Sequence, residues 1–421
     1  MSLRAAVFAS LDTIEVEKEV STDLEATRIM LENPSSPIHF LNLGGGEAVA
    51  NLWADRNRIA NALGTNPKEL MGNLMKAMSN PIRTNLIDNP QFLHNVKEDF
   101  DLRDLPIPKF FPGDGGRYVT AAVAVSEFEG HRNLSFHRMM LLDERRFAIR
   151  LVPRHLFTMH RLAQERGEDL PVAFCVGVCP TTLLAAACSV DYGQDEMEIG
   201  SALRKLSLGE GADVALTKGG LPVPAYSEIV LEGRITSDTA DEGPFVDITG
   251  TYDRVREQPV VEIDRIHHVD HPIFHLVLPG GLEHFLLMGM PREPIIYKTV
   301  RQVVPRTHDV RLTEGGCCWL HGVVSITKNK EGDGKNAIMA AFTGHPSMKR
   351  VIVVDEDVDV HDDAAVEWAV ATRSQADRDM VIIKDAAGSS LDPSSTGLTS
   401  KVGIDATKPI GSDEFKRATL D

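Results

Sequence analysis

The rhythm of apolar and polar positions changes twice along the chain. Over the first hundred residues, stretches that alternate with a period of two trade places with stretches at helical spacing. The run from Ile38 to Leu43 reads as a strand that ends in Gly44, Gly45 and Gly46. Residues 57–63 and 67–78 carry apolar side chains at helical spacing, the first closed by Gly64. Pro106, Pro108 and Pro112 crowd residues 102–112 and mark a domain boundary near them. From 117 to about 298 strand patterns dominate, at 118–125, 147–152, 172–178 and 229–231. Helices are expected to close at 164–168 and to run over 181–189 and 197–206. Many strands joined by turns, with few helices, predict a barrel-like or split-barrel core. Past 300 the texture returns to α/β: a buried parallel strand at 349–355, a helix at 364–373 and a strand at 380–384. The stretch after Ser389 is rich in Ser, Gly, Asp and Thr, and predicts a mobile tail or an arm that reaches a partner. The expected fold is α/β in three parts: an N-terminal α/β domain over 1–105, a split-barrel domain over 106–298, and a C-terminal α/β domain over 299–421 with an oligomerising tail.

Composition narrows the class. A chain of 421 residues exceeds one ordinary core, and 43% apolar with 25% charged residues is globular. The formal net charge of −17 argues against nucleic acid and against an anionic membrane surface as partners. An acidic protein that takes an anionic substrate must keep local positive charge or a metal in its site. Five cysteines without C-x-x-C spacing read as reduced thiols of a cytoplasmic protein. No run of about eighteen apolar residues and no signal-peptide pattern appears. Gly-Lys-Ser/Thr does not follow the triple glycine, and G-x-G-x-x-G is absent, so neither nucleotide fingerprint is present.

Candidate chemistry gathers in five places. Glu242 and Asp247 flank a Gly243-Pro244 turn, a stiff mount for one orienting acid and one proton-donating acid. A solvated acidic loop also fits that stretch. Arg138 is a candidate carboxylate partner, five residues after Asn133. His155 follows Pro153 at a strand end, and Glu196 opens a helix, where acids favour the dipole without any further role. As a set, Asn133, His155 and Glu196 would offer an amide, an imidazole and a carboxylate, which suits Mn²⁺ or Mg²⁺ better than structural zinc. His267, His268, Asp270, His271 and His275 form a denser cluster that lacks the zinc-protease pattern, and a loop near the active cleft is expected there.

Together these pieces resemble the UbiD-like family of reversible decarboxylases that use prenylated FMN. The resemblance runs through Phe40-Leu-Asn-Leu-Gly, Asn51-Leu with Arg56 and Arg58, Gly116-Arg-Tyr-Val-Thr120, and Asn133-x-x-x-His-Arg138. It continues in 224–233, Glu242-Gly-Pro-Phe-Val-Asp247, Val353-Val-Asp-Glu-Asp357, Leu391-Asp-Pro and 401–407. It implies that the central domain binds the flavin, and that Asn133, His155 and Glu196 hold a divalent metal, Mn²⁺ or Mg²⁺, at the flavin phosphate; K⁺ is implied as well. Arg138, Glu242 and Asp247 match the family's arginine and two acids, with Asp247 as proton donor and Arg138 holding Glu242. Phe136, His137, Arg150, Leu151 and Lys401 match cofactor-contacting positions, as does Arg138. His137 departs from the Tyr of many members, and Val246 from the usual Gly. The implied reaction adds the substrate's conjugated carbon to the flavin, releases CO₂ and protonates the carbanion. Implied partners are a flavin prenyltransferase that supplies the cofactor, a small carboxylic acid as substrate, and further copies in a homodimer or higher oligomer.

For the substrate, His284 and Arg292 stand eight residues apart, about two helical turns, on one expected face. The resemblance to the heteroaromatic branch, which acts on furan- and pyrrole-carboxylates, points to furan-2,5-dicarboxylate, with Arg292 on the second carboxylate. Arg292 as a helix-end cap fits equally. Anhydromevalonate 5-phosphate and pyrrole-2-carboxylate are the alternative substrates. From other classes come a non-catalytic flavin- or metal-binding protein and a metallohydrolase built on the 267–275 histidines.

Overall fold

The computed structural model describes residues 2–10, 12–412 and 414–415. Its internal contacts divide the chain into two compact units, residues 1–287 and 288–421.

The first unit is built on two main sheets. A four-stranded sheet orders Ile14–Val16, Ile38–Leu43, Gly46–Ala50 and Ile273–Leu276. Its last strand pairs in parallel with Gly46–Ala50, so the chain returns to complete the sheet that it began. The N-terminal sheet is therefore not closed within residues 1–105. A nine-stranded, mainly antiparallel sheet carries the site. At its centre Ile229–Glu242 pairs with Leu170–Val176 on one side and with Arg256–His268 on the other. The strand-rich texture expected of this region is present, and one apolar core joins the sheet to the first sheet through Phe40, Tyr118, Phe147, Phe174 and Phe274. Helix signals are local and well formed: Asp195 caps Glu196–Leu208 by accepting from the Met197 N–H, and Gly209 ends it at φ 84°.

Several expected elements differ in extent. The stretch 118–125 splits into Tyr118–Val119 and Val123–Phe128, because the first pairs with Met139–Leu141 and the second with His131–Phe136 and Leu170–Val176. The strand at 229–231 continues to Glu242, its polar half sustained by pairing with Arg256–His268.

The second unit carries a five-stranded sheet ordered Thr307–Leu312, His321–Ile326, Arg350–Asp355, Thr399–Ala406 and Met380–Ala386. Arg350–Asp355 is a buried strand with parallel neighbours on both sides, as its apolar run predicts. The expectation of a mobile tail after Ser389 is corrected here. Thr399–Ala406 is an interior strand, and Ile404 and Ala406 enter the unit's core. The expected boundary at 298/299 falls inside the helix Glu293–Val303. Among the described residues the five cysteines form no disulfide. Among the described residues no helix is long and apolar enough to cross a membrane.

Candidate active site

The nine-stranded sheet leaves a charged cluster where the Ile229–Glu242 strand ends. Glu242 is the last residue of that strand and is fully buried. The chain turns through Gly243 at φ 106° and a cis bond to Pro244, pairs Phe245–Val246 with Tyr252–Asp253, and re-enters the sheet at Arg256, opposite Glu242. Gly115 packs on this turn so closely that a Cβ there would meet the Gly243 carbonyl oxygen at 2.1 Å, and its N–H donates to the Pro244 carbonyl at 2.8 Å.

Arg138 sits in the short link between His131–Phe136 and Met139–Leu141 and points into this excursion. Its Nε and Nη2 donate to the two oxygens of Glu242, both at 2.9 Å, a forked pair. Nη1 donates to Asp247 Oδ2 at 2.5 Å, and Nη2 also reaches Asp253 Oδ2 at 3.0 Å. The guanidinium lies 4.7 Å from the Phe245 ring centroid. Burial opposes its charge, but the surrounding acids outweigh burial and raise its pKa. The Tyr118 hydroxyl donates to Glu242 Oε1 at 3.2 Å, and burial drives the Tyr118 pKa upward.

Sequence reasoning thus brought together three residues that do meet. It assigned Arg138 to Glu242 alone, however, and left Asp247 free of it. In the structure Arg138 holds both acids, because Asp247 lies just past the Phe245–Val246 strand on the same face of the turn. Asp247 has 17% of its side chain exposed, against 0% for Glu242, so it is the more open of the two acids. Its Oδ1 accepts from the Ile248 N–H at 2.6 Å. His284 is close enough for Asp247 and Arg138 to act on its charge, and burial lowers its pKa. Its Nδ1 accepts the Gly280 N–H at 3.2 Å, which leaves the proton on Nε2.

Asn133, His155 and Glu196 also meet. Asn133 Nδ2 lies 3.3 Å from both Glu196 oxygens, and His155 Nδ1 lies 3.1 Å from Oε1. Glu196 is 2% exposed, and among the described residues His155 is its only ion-pair partner. Its hydrogen bond to Glu196 raises the His155 pKa. A buried carboxylate with no permanent cation beside it, joined by an amide and an imidazole, is a donor set that fits a hard divalent ion.

The expected cofactor positions connect the two clusters. Ser135 Oγ donates to Asn133 Oδ1 at 2.8 Å and lies 2.9 Å from His137 Nε2. His137 Nδ1 is 3.0 Å from the Arg150 carbonyl, and burial lowers the His137 pKa to about 4, so the ring is neutral. Phe136 ends its strand beside it, and the Leu151 N–H donates to Gln258 at 2.8 Å. Burial lowers the Arg150 pKa, with Arg256 and Arg138 adding to the effect.

Other expectations fall elsewhere. Lys401 belongs to the second unit, where its ammonium donates to the carbonyls of Met348 at 2.8 Å and of Pro346. His284 and Arg292 do not share one α-helix: Leu282–Gly289 ends first, Met290–Arg292 is a 3₁₀ turn, and Arg292 stands at the N-cap position of the helix Glu293–Val303 without a side-chain cap bond. Within its unit Arg292 lies 5.3 Å from the Trp319 ring. The 267–275 histidines are not a loop cluster. His267 and His268 are on the Arg256–His268 strand, with His267 2.8 Å from Glu232, while buried His275 is 3.0 Å from Glu283. Among the described residues no group of three or more His, Cys, Asp or Glu side chains is placed to hold a metal ion. Sequence reasoning missed Tyr118, Asp253 and Arg256. Only the Asp253-x-x-Arg256 spacing signalled a local pair.

Comparison with known proteins identifies the family. Three models of 3-octaprenyl-4-hydroxybenzoate carboxy-lyase match in order: the N-terminal domain over 9–78, the Rift-related domain over 85–282, and the C-terminal domain over 285–406. The anhydromevalonate phosphate decarboxylase of Methanosarcina mazei is 46% identical over 412 residues, 97% of this chain and 96% of its own. That of Methanothermobacter thermautotrophicus is 44% identical over 420 residues, 97% of each. The UbiD-class enzyme HmfF of Pelotomaculum thermopropionicum, solved with FMN, superposes with a TM-score of 0.96 at 37% identity, covering 100% of this chain and 97% of that one. An evolved dimeric form of HmfF, solved with prenylated FMN, gives 0.92 at 34%, again covering 100% and 97%. With matches along almost its whole length, the chain belongs to the UbiD family of decarboxylases and is a carboxy-lyase.

Proposed function

We propose that this decarboxylase acts on an anhydromevalonate phosphate, with prenylated FMN as cofactor. The observation that carries the substrate is the 44–46% identity to two anhydromevalonate phosphate decarboxylases along 97% of the chain. The cofactor reading is supported by the FMN and prenylated FMN of the HmfF structures. When bound, prenylated FMN supplies the electron sink for loss of CO₂. Phe136, His137, Arg150 and Leu151 would line it, and Asn133, His155 and Glu196 would hold the Mn²⁺ or Mg²⁺ that balances its phosphate. Neutral His137 donates from Nδ1 to the Arg150 carbonyl and keeps Nε2 as an acceptor, without adding charge.

The residues of the charged cluster then take distinct roles. Glu242, with two bonds from Arg138 and one from Tyr118, is an orienting group. Asp247, the exposed acid, holds the proton that replaces CO₂ on the substrate carbon and delivers it from the turn. Arg138 fixes both acids and keeps water from separating them. A flavin prenyltransferase as supplier and a homodimer or higher oligomer belong to the same reading.

Furan-2,5-dicarboxylate is the second reading, favoured by the 0.96 superposition on HmfF and by a buried Arg292. The test is CO₂ release from anhydromevalonate phosphate, furan-2,5-dicarboxylate and pyrrole-2-carboxylate by protein co-expressed with a flavin prenyltransferase, in wild type and Arg292→Ala. Turnover of the phosphate ester is expected to lead. Furan dicarboxylate turned over faster, with that preference lost in Arg292→Ala, would replace this reading with the second.

A further inference from the structure

We propose that Asp253 and Arg256 are a positioning pair that sets how strongly Arg138 holds Asp247, and thereby the pH at which the proton donor is loaded. The inference rests on Asp247 as donor.

One carboxylate couples two guanidinium groups here. Asp253 Oδ2 accepts from Arg138 Nη2 at 3.0 Å and from Arg256 Nη1 at 2.5 Å, while Oδ1 accepts the Arg254 N–H at 2.9 Å. The strand register delivers this arrangement. Asp253 pairs with Phe245 and Arg256 pairs with Glu242, so the excursion between them brings an acid and a base back to the side of Arg138 away from Glu242 Oε1. Burial disfavours the Asp253 charge, but Arg256 and Arg138 outweigh it and hold its pKa below the usual range. Three acids therefore share Arg138, and Arg256 offsets only the one that it touches.

The surroundings of Asp247 limit what else could move its titration. It faces Arg138 directly and His284 across the turn. Glu242 with Tyr118 stands behind Arg138, and Arg150 lies near Arg138 and Arg256. Asp114 is spent on the N–H groups of Val246 and Phe111.

Removing the Asp253 charge leaves Arg256 unopposed and Arg138 with one acid fewer. The Asp247 carboxylate is then held more strongly by Arg138. Removing Arg256 leaves Asp253 free to compete for Arg138, and the Asp247 carboxylate is held less strongly. At these separations each change is on the order of one pH unit. The double variant restores the balance.

The experiment is an infrared titration of the Asp247 carboxyl in cofactor-free protein, its band assigned with Asp247→Asn, followed by the pH profile of CO₂ release in loaded protein. Asp253→Asn is expected to move the midpoint and the matching kinetic limb down by about one unit, Arg256→Gln to move both up by about as much, and the double variant to return them to within a few tenths of wild type. Arg256→Lys, which keeps the charge, should stay at the wild-type midpoint and serves if Arg256→Gln does not fold. A wild-type midpoint in Asp253→Asn, or shifts of one sign in Asp253→Asn and Arg256→Gln, would overturn the pair. Because the titration needs no turnover, a midpoint that moves as expected while Asp247→Asn still releases CO₂ at full rate would overturn the donor role alone.

Discussion

Arg373 and Arg138 each sit among several acids, and they do different work. Arg373 donates to Asp355 at 2.8 Å and to both oxygens of Asp357 at 2.9 Å. Lys408 answers the second acid: its N–H donates to Asp355 and its ammonium to Asp357. Two cations meet two acids, and each acid is tied to chain from another element. Arg373, first by its hydrogen bonds, holds the Asp357 pKa down at about 2. Around Arg138 the count is uneven, with Arg138 and Arg256 facing Glu242, Asp247 and Asp253. The Arg373 cluster pins a strand end to a helix end. The Arg138 cluster keeps one acid in excess, and that acid sits on a turn with part of its surface open. A balanced cluster stabilises, while an excess acid in a partly open position can carry a proton.

Substitutions should separate the two clusters. Arg138→Gln is expected to cut CO₂ release by at least about a thousandfold, and to cost about 3–5 kcal/mol on chemical denaturation because Glu242 and Asp247 lose their cation and Asp253 keeps only Arg256. Arg373→Gln should cost a similar amount of stability yet leave the rate per folded molecule within about twofold. An equal loss of rate in both would erase the distinction. Glu242→Gln keeps the shape and removes the orienting charge, and about a hundredfold loss of kcat with bound flavin retained is expected. The smallest effect concerns His137, whose pKa near 4 lies below its unfolded value of about 6.5. The unfolded chain therefore takes the proton first as pH falls, so stability is complete above pH ~6.5 and declines toward pH ~4. At pH 5 the cost is about 2 kcal/mol, and His137→Gln should remove it when denaturation at pH 5 and pH 7.5 is compared.

Much of this was legible in the sequence because the signals are local. The apolar run at Arg350–Asp355 can only be a strand buried on both faces, and the Asp195 cap announces the helix that presents Glu196. The meeting of Arg138 with Glu242 and Asp247 came from a family resemblance, since no periodicity links residues more than a hundred apart. What escaped depends on pairing. The polar half of Ile229–Glu242 is a strand because Arg256–His268 lies beside it, and Thr399–Ala406 has little apolar content of its own but occupies an interior place between two strands. Asp253 became visible only when the register placed it opposite Phe245. The eight-residue interval from His284 to Arg292 misled because the α-helix stops at Gly289.

The central claim is that Asp247 delivers the proton in a prenylated-FMN decarboxylase. Its most direct test is CO₂ release from anhydromevalonate phosphate by wild type and Asp247→Asn, both co-expressed with a flavin prenyltransferase and both checked for bound flavin by absorption. Wild type should turn over, and the variant should hold the same flavin while losing about a hundredfold or more in rate. Turnover by the variant at the wild-type rate would contradict the account.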